Sequence, residues 1–213
     1  MQKIIIASLV LFIYLQSSAQ IQWHNNYELA KAVAKSEGKL LLIDFWAIWC
    51  GPCQNMDRKL WTASEMDSIS QRFVAYKMDI DSETALANRY SIKSIPRVVL
   101  ITPDEEIIWD KTGFSSNLEY LKAFQHIPTN LSELFQAIDV NMKEESQESL
   151  FRLGEAYSNV AKGISYESLA NDFFDMSNDY FRKAEKGESE IIAELAELNQ
   201  ILNVQNTSVN LVN

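Results

Sequence analysis

The sequence predicts an α/β domain with a central mixed sheet flanked by helices, followed by an all-α helical extension. In the front half, short apolar runs of strand length alternate with segments whose apolar residues recur at helical spacing. After Pro128 both proline and strand-like patterning stop, and from Leu131 onward only helical spacing remains. This change of pattern separates the two predicted parts of the chain.

The expected elements of the front half follow the order βαβ and then ββα. The predicted strands span residues 40–45, 73–79, 97–101 and 106–111, and the predicted helices span residues 27–36, 54–61, 82–90 and 117–124. The first of these strands is almost continuously apolar, which is typical of a central strand covered on both faces. Ser82 is the expected N-cap of the third helix, and Gly113 permits a turn or bulge after the last strand.

The sequence divides into a domain over residues 20–128, a helical extension over residues 129–204 and a polar, frayed tail over residues 205–213. Four antiparallel helices are expected in the extension. One part of it resembles a single degenerate tetratricopeptide repeat, carried by Leu150, Leu153, Gly154, Tyr157, Phe181 and Ala184. The simpler alternative is ordinary packing of a helix pair, because the spacing is too long and no second copy follows.

The N-terminus has the pattern of a secretory signal peptide over residues 1–19. Lys3 precedes an apolar run from Ile4 to Leu15, and Ser17, Ser18 and Ala19 form a small-residue cleavage site. The run is too short to cross a bilayer as a helix, although an uncleaved anchor is an alternative. We therefore expect an exported protein, periplasmic or extracellular, with no stable membrane span after cleavage.

The charge of the chain is negative and unevenly placed. The formal net charge is −10, and residues 129–213 hold six basic and fifteen acidic side chains, a net charge of −9. This balance argues against nucleic acid and anionic membrane surfaces as partners.

The chain has two cysteines, which lie three positions apart in Trp49-Cys50-Gly51-Pro52-Cys53. Two thiols at this spacing can form and reopen a small disulfide, which indicates a redox centre and requires no further cofactor. A zinc site is the alternative interpretation, but it would need scattered ligands such as His24 and His126, so no metal is expected.

Cys50 is the predicted nucleophile, because it precedes a helix whose free N–H groups and positive dipole end stabilise a thiolate. It is also expected to be the more exposed of the two sulfurs. Cys53 is expected to attack the mixed disulfide that Cys50 forms with a substrate. Pro52 fits the first turn of the helix, and Gly51 allows a partner chain to approach closely.

Asp44 is the one charged residue in its apolar strand. Exposure at a strand edge is one interpretation. The other is a buried carboxylate behind Cys53 whose pKa is raised and which exchanges a proton with that thiol. Lys77 on the neighbouring strand is a possible partner of this carboxylate.

Residues 22–127 resemble the thioredoxin family. The resemblance rests on Asp44-Phe45-Trp46-Ala47, the Cys50–Cys53 motif with Trp49, then Lys77, Ile95-Pro96 and Gly113. It implies the thioredoxin fold, Cys50 as nucleophile, Cys53 as resolving thiol and Asp44 as proton relay. It also implies a cis peptide bond before Pro96, which faces the disulfide.

Substrate binding is expected at Trp49, Gly51, Pro52, Ile95 and Pro96, with an extended substrate segment pairing to the Ile95 backbone. The sequence departs from the family at Gln54, where lysine is usual, and at Arg97, where threonine is common. Both positions are expected near the substrate surface.

Together these features predict an exported thiol–disulfide oxidoreductase that reduces disulfide-containing proteins, with a membrane thiol relay as the expected electron donor. The Gly-Pro dipeptide between the cysteines favours the reducing direction. The alternative function is a protein-binding adaptor, in which the helical extension recognises a partner and the redox centre is secondary.

Overall fold

The computed structural model describes residues 21–209, and five strands within them form one mixed sheet. The strands are β1 (Trp23–His24), β2 (Leu40–Trp46), β3 (Phe73–Asp79), β4 (Arg97–Ile101) and β5 (Ile107–Thr112). Their order across the sheet is β1-β3-β2-β4-β5. β3 runs parallel to β1 and β2, whereas β4 runs antiparallel to both β2 and β5. The predicted central mixed sheet is confirmed.

Helices cover both faces of this sheet. Those of the front half are α1 (Tyr27–Glu37), α2 (Gly51–Met56), α3 (Met66–Ile69), α4 (Thr84–Arg89) and α5 (Leu118–Gln125). A π-helical segment, Asp57–Trp61, continues α2, and a 3₁₀ turn, Ser70–Arg72, follows α3. The thioredoxin fold that the sequence predicts is therefore present.

The alternation of side chains along β2 assigns each residue to one of two cores. Leu41, Ile43 and Phe45 face a cluster that includes residues of α1. Leu40 and Leu42 face a larger cluster that includes residues of α5 and of the C-terminal helices. β2 is covered on both faces, as its apolar run predicts.

Several local details differ from the sequence-based expectation. β1 and α3 were not predicted, because both are very short and are held by packing on neighbouring elements. α2 begins at Gly51 rather than at residue 54, because the sulfur of Cys50 provides its N-cap. The prediction of Ser82 as an N-cap is wrong: its hydroxyl donates to the Asp79 carbonyl, and α4 begins at Thr84.

Four long helices follow the sheet: α6 (Ser132–Lys143), α7 (Gln147–Lys162), α8 (Glu167–Ala184) and α9 (Glu190–Val209). The predicted all-α extension is confirmed, while the domain boundary at residue 128 stays a prediction. The polar, frayed tail from residue 205 also stays a prediction, and α9 extends into it as far as Val209. Residues 210–213 and the predicted signal peptide lie outside the described residues.

α7 and α8 pack closely where Gly154 faces Phe181. A Cβ atom added to Gly154 would lie 2.7 Å from the Phe181 ring, and Ser177 Oγ donates to the Gly154 carbonyl at 2.7 Å. The tetratricopeptide-like pattern thus corresponds to a tight contact between two helices, and nothing in the structure tests a repeat function.

The extension is joined to the sheet at the turn between β4 and β5. The two carboxylate oxygens of Glu106 accept hydrogen bonds from the hydroxyls of Tyr157 on α7 and Tyr180 on α8. The rings of these tyrosines stack with their centroids 5.6 Å apart. Leu131 N also donates to the Gly38 carbonyl at 2.7 Å, which fixes the chain where it leaves the sheet.

Gly154→Ala is expected to lower the free energy of unfolding by about 1–3 kcal/mol, because the new methyl group overlaps the Phe181 ring in a packed core. Denaturant unfolding measures this change. Gly163→Ala is the matched control, since its Cβ would lie no closer than 3.4 Å to the nearest atom, the Val160 carbonyl oxygen. If both variants unfold at the wild-type denaturant concentration, the close helix contact is wrong.

Candidate active site

The cysteine pair lies where the carboxyl end of β2 turns into α2. Cys50 is the N-cap residue of α2, and its Sγ accepts the backbone N–H of Cys53 at 3.1 Å. Cys50 and Cys53 are joined by a disulfide. The sulfur of Cys50 therefore occupies the position in which the helix N-terminus stabilises a negative charge.

The two cysteines are equally covered, each with 3% of its surface exposed. The expectation that Cys50 is the more exposed residue is wrong for this disulfide-bonded state. The disulfide draws Cys50 over the first turn of α2, and both residues pack with Ala47 and against Ile95. An attacking group must therefore come from the rim that surrounds the pair.

That rim contains the other residues that the sequence predicts for substrate binding. Trp49 is 65% exposed, and its Nε1 donates to Asp81 Oδ2 at 2.7 Å. Gly51 has open space where a Cβ would project, and Pro52 lies exposed in the first turn of α2. A side chain of a partner molecule can approach the disulfide across this surface.

The Ile95–Pro96 peptide bond is cis, as the resemblance implies. Within the described residues, the backbone N–H and carbonyl of Ile95 have no hydrogen-bond partner. A shallow groove of about 320 Å³ lies between this segment and the indole of Trp49, lined by Trp49, Ile80, Ile92, Lys93, Ser94 and Ile95. Ile80, Ile92 and Asp81 were not predicted for this rim, because single residues in loops give no sequence signal.

Asp44 is buried, with 2% of its surface exposed, so exposure at a strand edge is excluded. Its Oδ2 accepts a hydrogen bond from Trp61 Nε1 at 3.0 Å, while Oδ1 has no partner among the described residues. Burial raises the pKa of Asp44 to about 7, and the carboxylate of Asp57 acts in the same direction. Lys77 and the Trp61 N–H oppose this rise.

Lys77 lies opposite Asp44 in the parallel pair of β2 and β3. Its Nζ is 3.8 Å from Asp44 Oδ2 and donates a hydrogen bond to Asp57 Oδ1. The ammonium also lies over the ring of Trp46, 5.0 Å from its centroid, and over that of Trp23 at 5.5 Å. The sequence predicted the pairing with Asp44 but not the role of Asp57 or Trp61.

The two departures from the family pattern have separate environments. Gln54 Nε2 donates to the Ile48 carbonyl at 2.8 Å, which fixes the loop before Cys50. Arg97 Nε donates to Asp110 Oδ1 at 2.9 Å, and its Nη1 donates to the Tyr90 carbonyl at 2.7 Å. These contacts hold the Arg97 guanidinium against β5 and the end of α4.

The sequence of this chain is similar to those of known thioredoxins. A sequence model described as thioredoxin-like matches residues 22–103. Thioredoxin from Bacillus subtilis is 36% identical over 80 residues, which cover 37% of this chain and 72% of that protein. Thioredoxin-1 from Drosophila melanogaster is 29% identical over 89 residues, which cover 42% of this chain and 79% of that protein.

Among solved structures, a thioredoxin from Thermus thermophilus superposes with a TM-score of 0.46 and 24% identity. The superposition covers 50% of this chain and 85% of that one. The matched sequences place the fold and its cysteine pair in the class of thioredoxin-like oxidoreductases. Because this chain is 36% identical to the Bacillus subtilis thioredoxin over 72% of that protein, it belongs to the thioredoxin family.

Residues 21–209 contain neither a metal-binding cluster nor a helix suited to cross a membrane. No group of three or more His, Cys, Asp or Glu side chains in this range is arranged to hold a metal ion. No helix there combines the length and apolar character needed to cross a membrane.

Asp44→Asn is expected to stabilise the disulfide-bonded protein increasingly as the pH rises. At about pH 2 Asp44 is largely protonated in both the folded and the unfolded state, so the variant has little effect on stability. Between there and pH 7 the unfolded state loses its proton while the folded state keeps it, so wild-type stability falls. Above about pH 7 the gain of the variant reaches roughly 4 kcal/mol at 1.36 kcal/mol per pK unit.

Denaturant unfolding across this pH range measures the difference between the two proteins. The asparagine retains an oxygen that can accept from Trp61, so the change removes the charge and little else. Asp67→Asn, on the exposed surface of α3, is the control for a change in net charge. A stability difference that does not depend on pH would show that Asp44 ionises normally.

Proposed function

We propose that this chain is an exported thiol–disulfide oxidoreductase that reduces protein disulfides by dithiol–disulfide exchange. The observation that carries the proposal is the hydrogen bond from the Cys53 amide to the sulfur of Cys50 at the N-terminus of α2. The same donor would stabilise a Cys50 thiolate once the disulfide is reduced. Cys53 lies one turn along the helix, within bonding distance of this nucleophile.

In the first step, the Cys50 thiolate attacks one sulfur of a substrate disulfide. An S–S bond forms between Cys50 and the substrate, and the second substrate sulfur leaves as a thiolate that takes a proton from solvent. The unpaired N–H and carbonyl of Ile95 hold an extended substrate segment beside the cysteines. Trp49, Gly51, Pro52 and Pro96 complete the contact surface.

In the second step, Asp44 accepts the proton of Cys53, and the resulting thiolate attacks the sulfur of Cys50. The Cys50–Cys53 disulfide forms, and the remaining substrate sulfur leaves with the proton. The substrate thus gains two electrons from the cysteine pair, one proton from Cys53 by way of Asp44, and one proton from solvent. A carboxyl group whose pKa is about 7 can both accept and return a proton near neutral pH.

A membrane thiol relay is the proposed source of electrons, because an exported reductant must be reduced again after each turnover. Export itself rests on the predicted signal peptide over residues 1–19. The intact mass of the protein recovered from the exported fraction tests this part. A chain that begins at Gln20 is expected, whereas a chain that retains residues 1–19 would contradict cleavage.

Insulin reduction with dithiothreitol as electron source tests the activity. The wild-type protein is expected to accelerate the reaction over dithiothreitol alone, because Cys50 exchanges faster than a thiol of ordinary pKa. Cys50→Ser is expected to reduce the rate to that background. Cys53→Ser is expected to stop turnover and accumulate a mixed disulfide visible by mass spectrometry. A wild-type protein that adds nothing to the background rate would reject the proposal.

The direction of exchange is tested by the reduction potential measured against glutathione. A value near that of thioredoxin, about −270 mV, is expected for a reductant. A value near about −120 mV would instead indicate an oxidant and overturn the proposed direction.

A second candidate function, the adaptor, is favoured by one feature of α9. Its inner face packs on the other helices through Ala196 and Asn203, which are buried. Its outer face exposes an apolar stripe at spacings typical of helix–helix contacts, formed by Ile191, Leu195, Leu198 and Leu202. α9 contains glutamates and no basic residue, so the partner suited to this stripe is an amphipathic helix with basic flanks.

Comparison of the proteins captured by two Cys53→Ser traps tests the adaptor. The first trap carries Cys53→Ser alone and has the wild-type stripe. The second carries Cys53→Ser together with Leu195→Ser and Leu198→Ser, which disrupt the stripe. If the stripe selects partners, the second trap is expected to lose specific captured proteins while insulin reduction in the Cys53-containing chain is unchanged. Leu29→Ser with Val140→Ser, two exposed apolar residues elsewhere, is the matched control. Identical captured sets would reject the adaptor.

A further inference from the structure

Asp57 lies one helical turn after Cys53 of the redox centre. It follows α2 in the π-helical segment, and its backbone N–H bonds to the carbonyls of Cys53 and Gln54. Its carboxylate accepts a hydrogen bond from Lys77, whose other acidic neighbour is the buried Asp44. Asp57 therefore competes with Asp44 for a single ammonium group.

We propose that Asp57 is a positioning residue for thiol exchange: it holds the ammonium of Lys77 away from Asp44, so that Asp44 can both take and return a proton. The inference rests on the proposed function, because it gives a role to the same carboxylate. It concerns a residue outside the cysteine motif and outside the family positions identified from the sequence.

The geometry shows the competition directly. The distance from Lys77 Nζ to Asp44 Oδ2 is 3.8 Å, too long for a hydrogen bond, whereas the bond to Asp57 is formed. The rings of Trp23 and Trp46 flank the ammonium and restrict its other positions. Without Asp57, the nearest remaining carboxylate for Lys77 is Asp44.

The charges act in the same direction as the geometry. An ammonium in hydrogen-bond contact with a buried carboxylate favours its ionised form, so a cation held at a distance leaves the carboxyl protonated to higher pH. The negative charge of Asp57 adds a second effect, since a like charge nearby disfavours ionisation of Asp44. Both effects are lost together when Asp57 is made neutral.

The other polar groups around Asp44 come from the elements packed on it. The π-helical segment contributes Asp57 and the Trp61 N–H, and β3 contributes Lys77. α5 contributes Tyr120, whose pKa is raised by burial and by the charge of Asp44. Of these groups, Asp57 is the most exposed, with 35% of its side-chain surface open to solvent, so it links the buried site to water.

The test is Asp57→Asn in the full-length reduced protein, with the Asp44 carboxyl followed by ¹³C NMR as the pH is varied. The midpoint of the Asp44 titration is expected to fall by about one pH unit or more, because Lys77 closes on Asp44 and a like charge is removed. The pH profile of insulin reduction is expected to move to lower pH with it.

Two further variants separate positioning from a structural role. Lys77→Met is expected to move the Asp44 midpoint upward, opposite to Asp57→Asn, which loss of packing would not produce. Asp57→Glu keeps the carboxylate and is expected to restore a midpoint close to that of the wild type. An Asp44 midpoint unchanged in Asp57→Asn would overturn the inference, even with full activity.

The outcome that rejects the proposed reductase differs from the outcome that rejects the positioning role of Asp57. A wild-type protein that does not reduce insulin, but whose Asp44 midpoint falls in Asp57→Asn, would reject the reductase and leave the charge competition established. If wild-type protein reduces insulin and Asp57→Asn alters neither the midpoint nor the pH profile, the reductase stands and Asp57 has no positioning role.

Discussion

Burial of β2 on both faces is the constraint on which the site depends. The strand alternates between two cores, and its even-numbered residues Leu40 and Leu42 face the larger one. Asp44 is the next residue on that face, so the strand that supplies the centre of the sheet also places a carboxylate among apolar side chains. The same strand ends shortly before Cys50, so the burial of β2 in the core also positions the cysteine pair.

The sequence predicted the elements whose signals are local. The apolar run of β2, the Cys50–Cys53 motif and the charged residue within the strand all lie within one short segment. The structure has the covered strand and the helix-capping cysteine that were expected, and of the two interpretations of Asp44 it has the buried one. The network around Asp44 could not be predicted in the same way. Asp57 and Lys77 lie twenty positions apart, and Asp57 begins a π-helical segment, which has no clear sequence signature.

The β4–β5 turn shows a second limit of sequence-based reasoning. Its three consecutive acidic residues would be expected to be solvated, yet each has a partner. Asp104 lies 3.6 Å from Lys35, and Glu105 pairs with Lys31 at 2.6 Å. Glu106 instead binds two tyrosine hydroxyls from the extension. The acidic extension therefore attaches to an acidic turn through uncharged donors, an arrangement that charge patterning alone would not suggest.

The helical extension reaches the redox centre through a chain of aromatic rings. α8 packs on β5, where Trp109 contacts Tyr120 and Phe124, and Phe124 stacks on Trp61, the hydrogen-bond donor to Asp44. Asp44, at the end of this chain of contacts, has 2% of its surface exposed. A loosening of α8 would let water reach that carboxyl, and hydration would ease its ionisation. Packing of the helical extension on β5 thus belongs to the same chain of contacts that buries this carboxyl group.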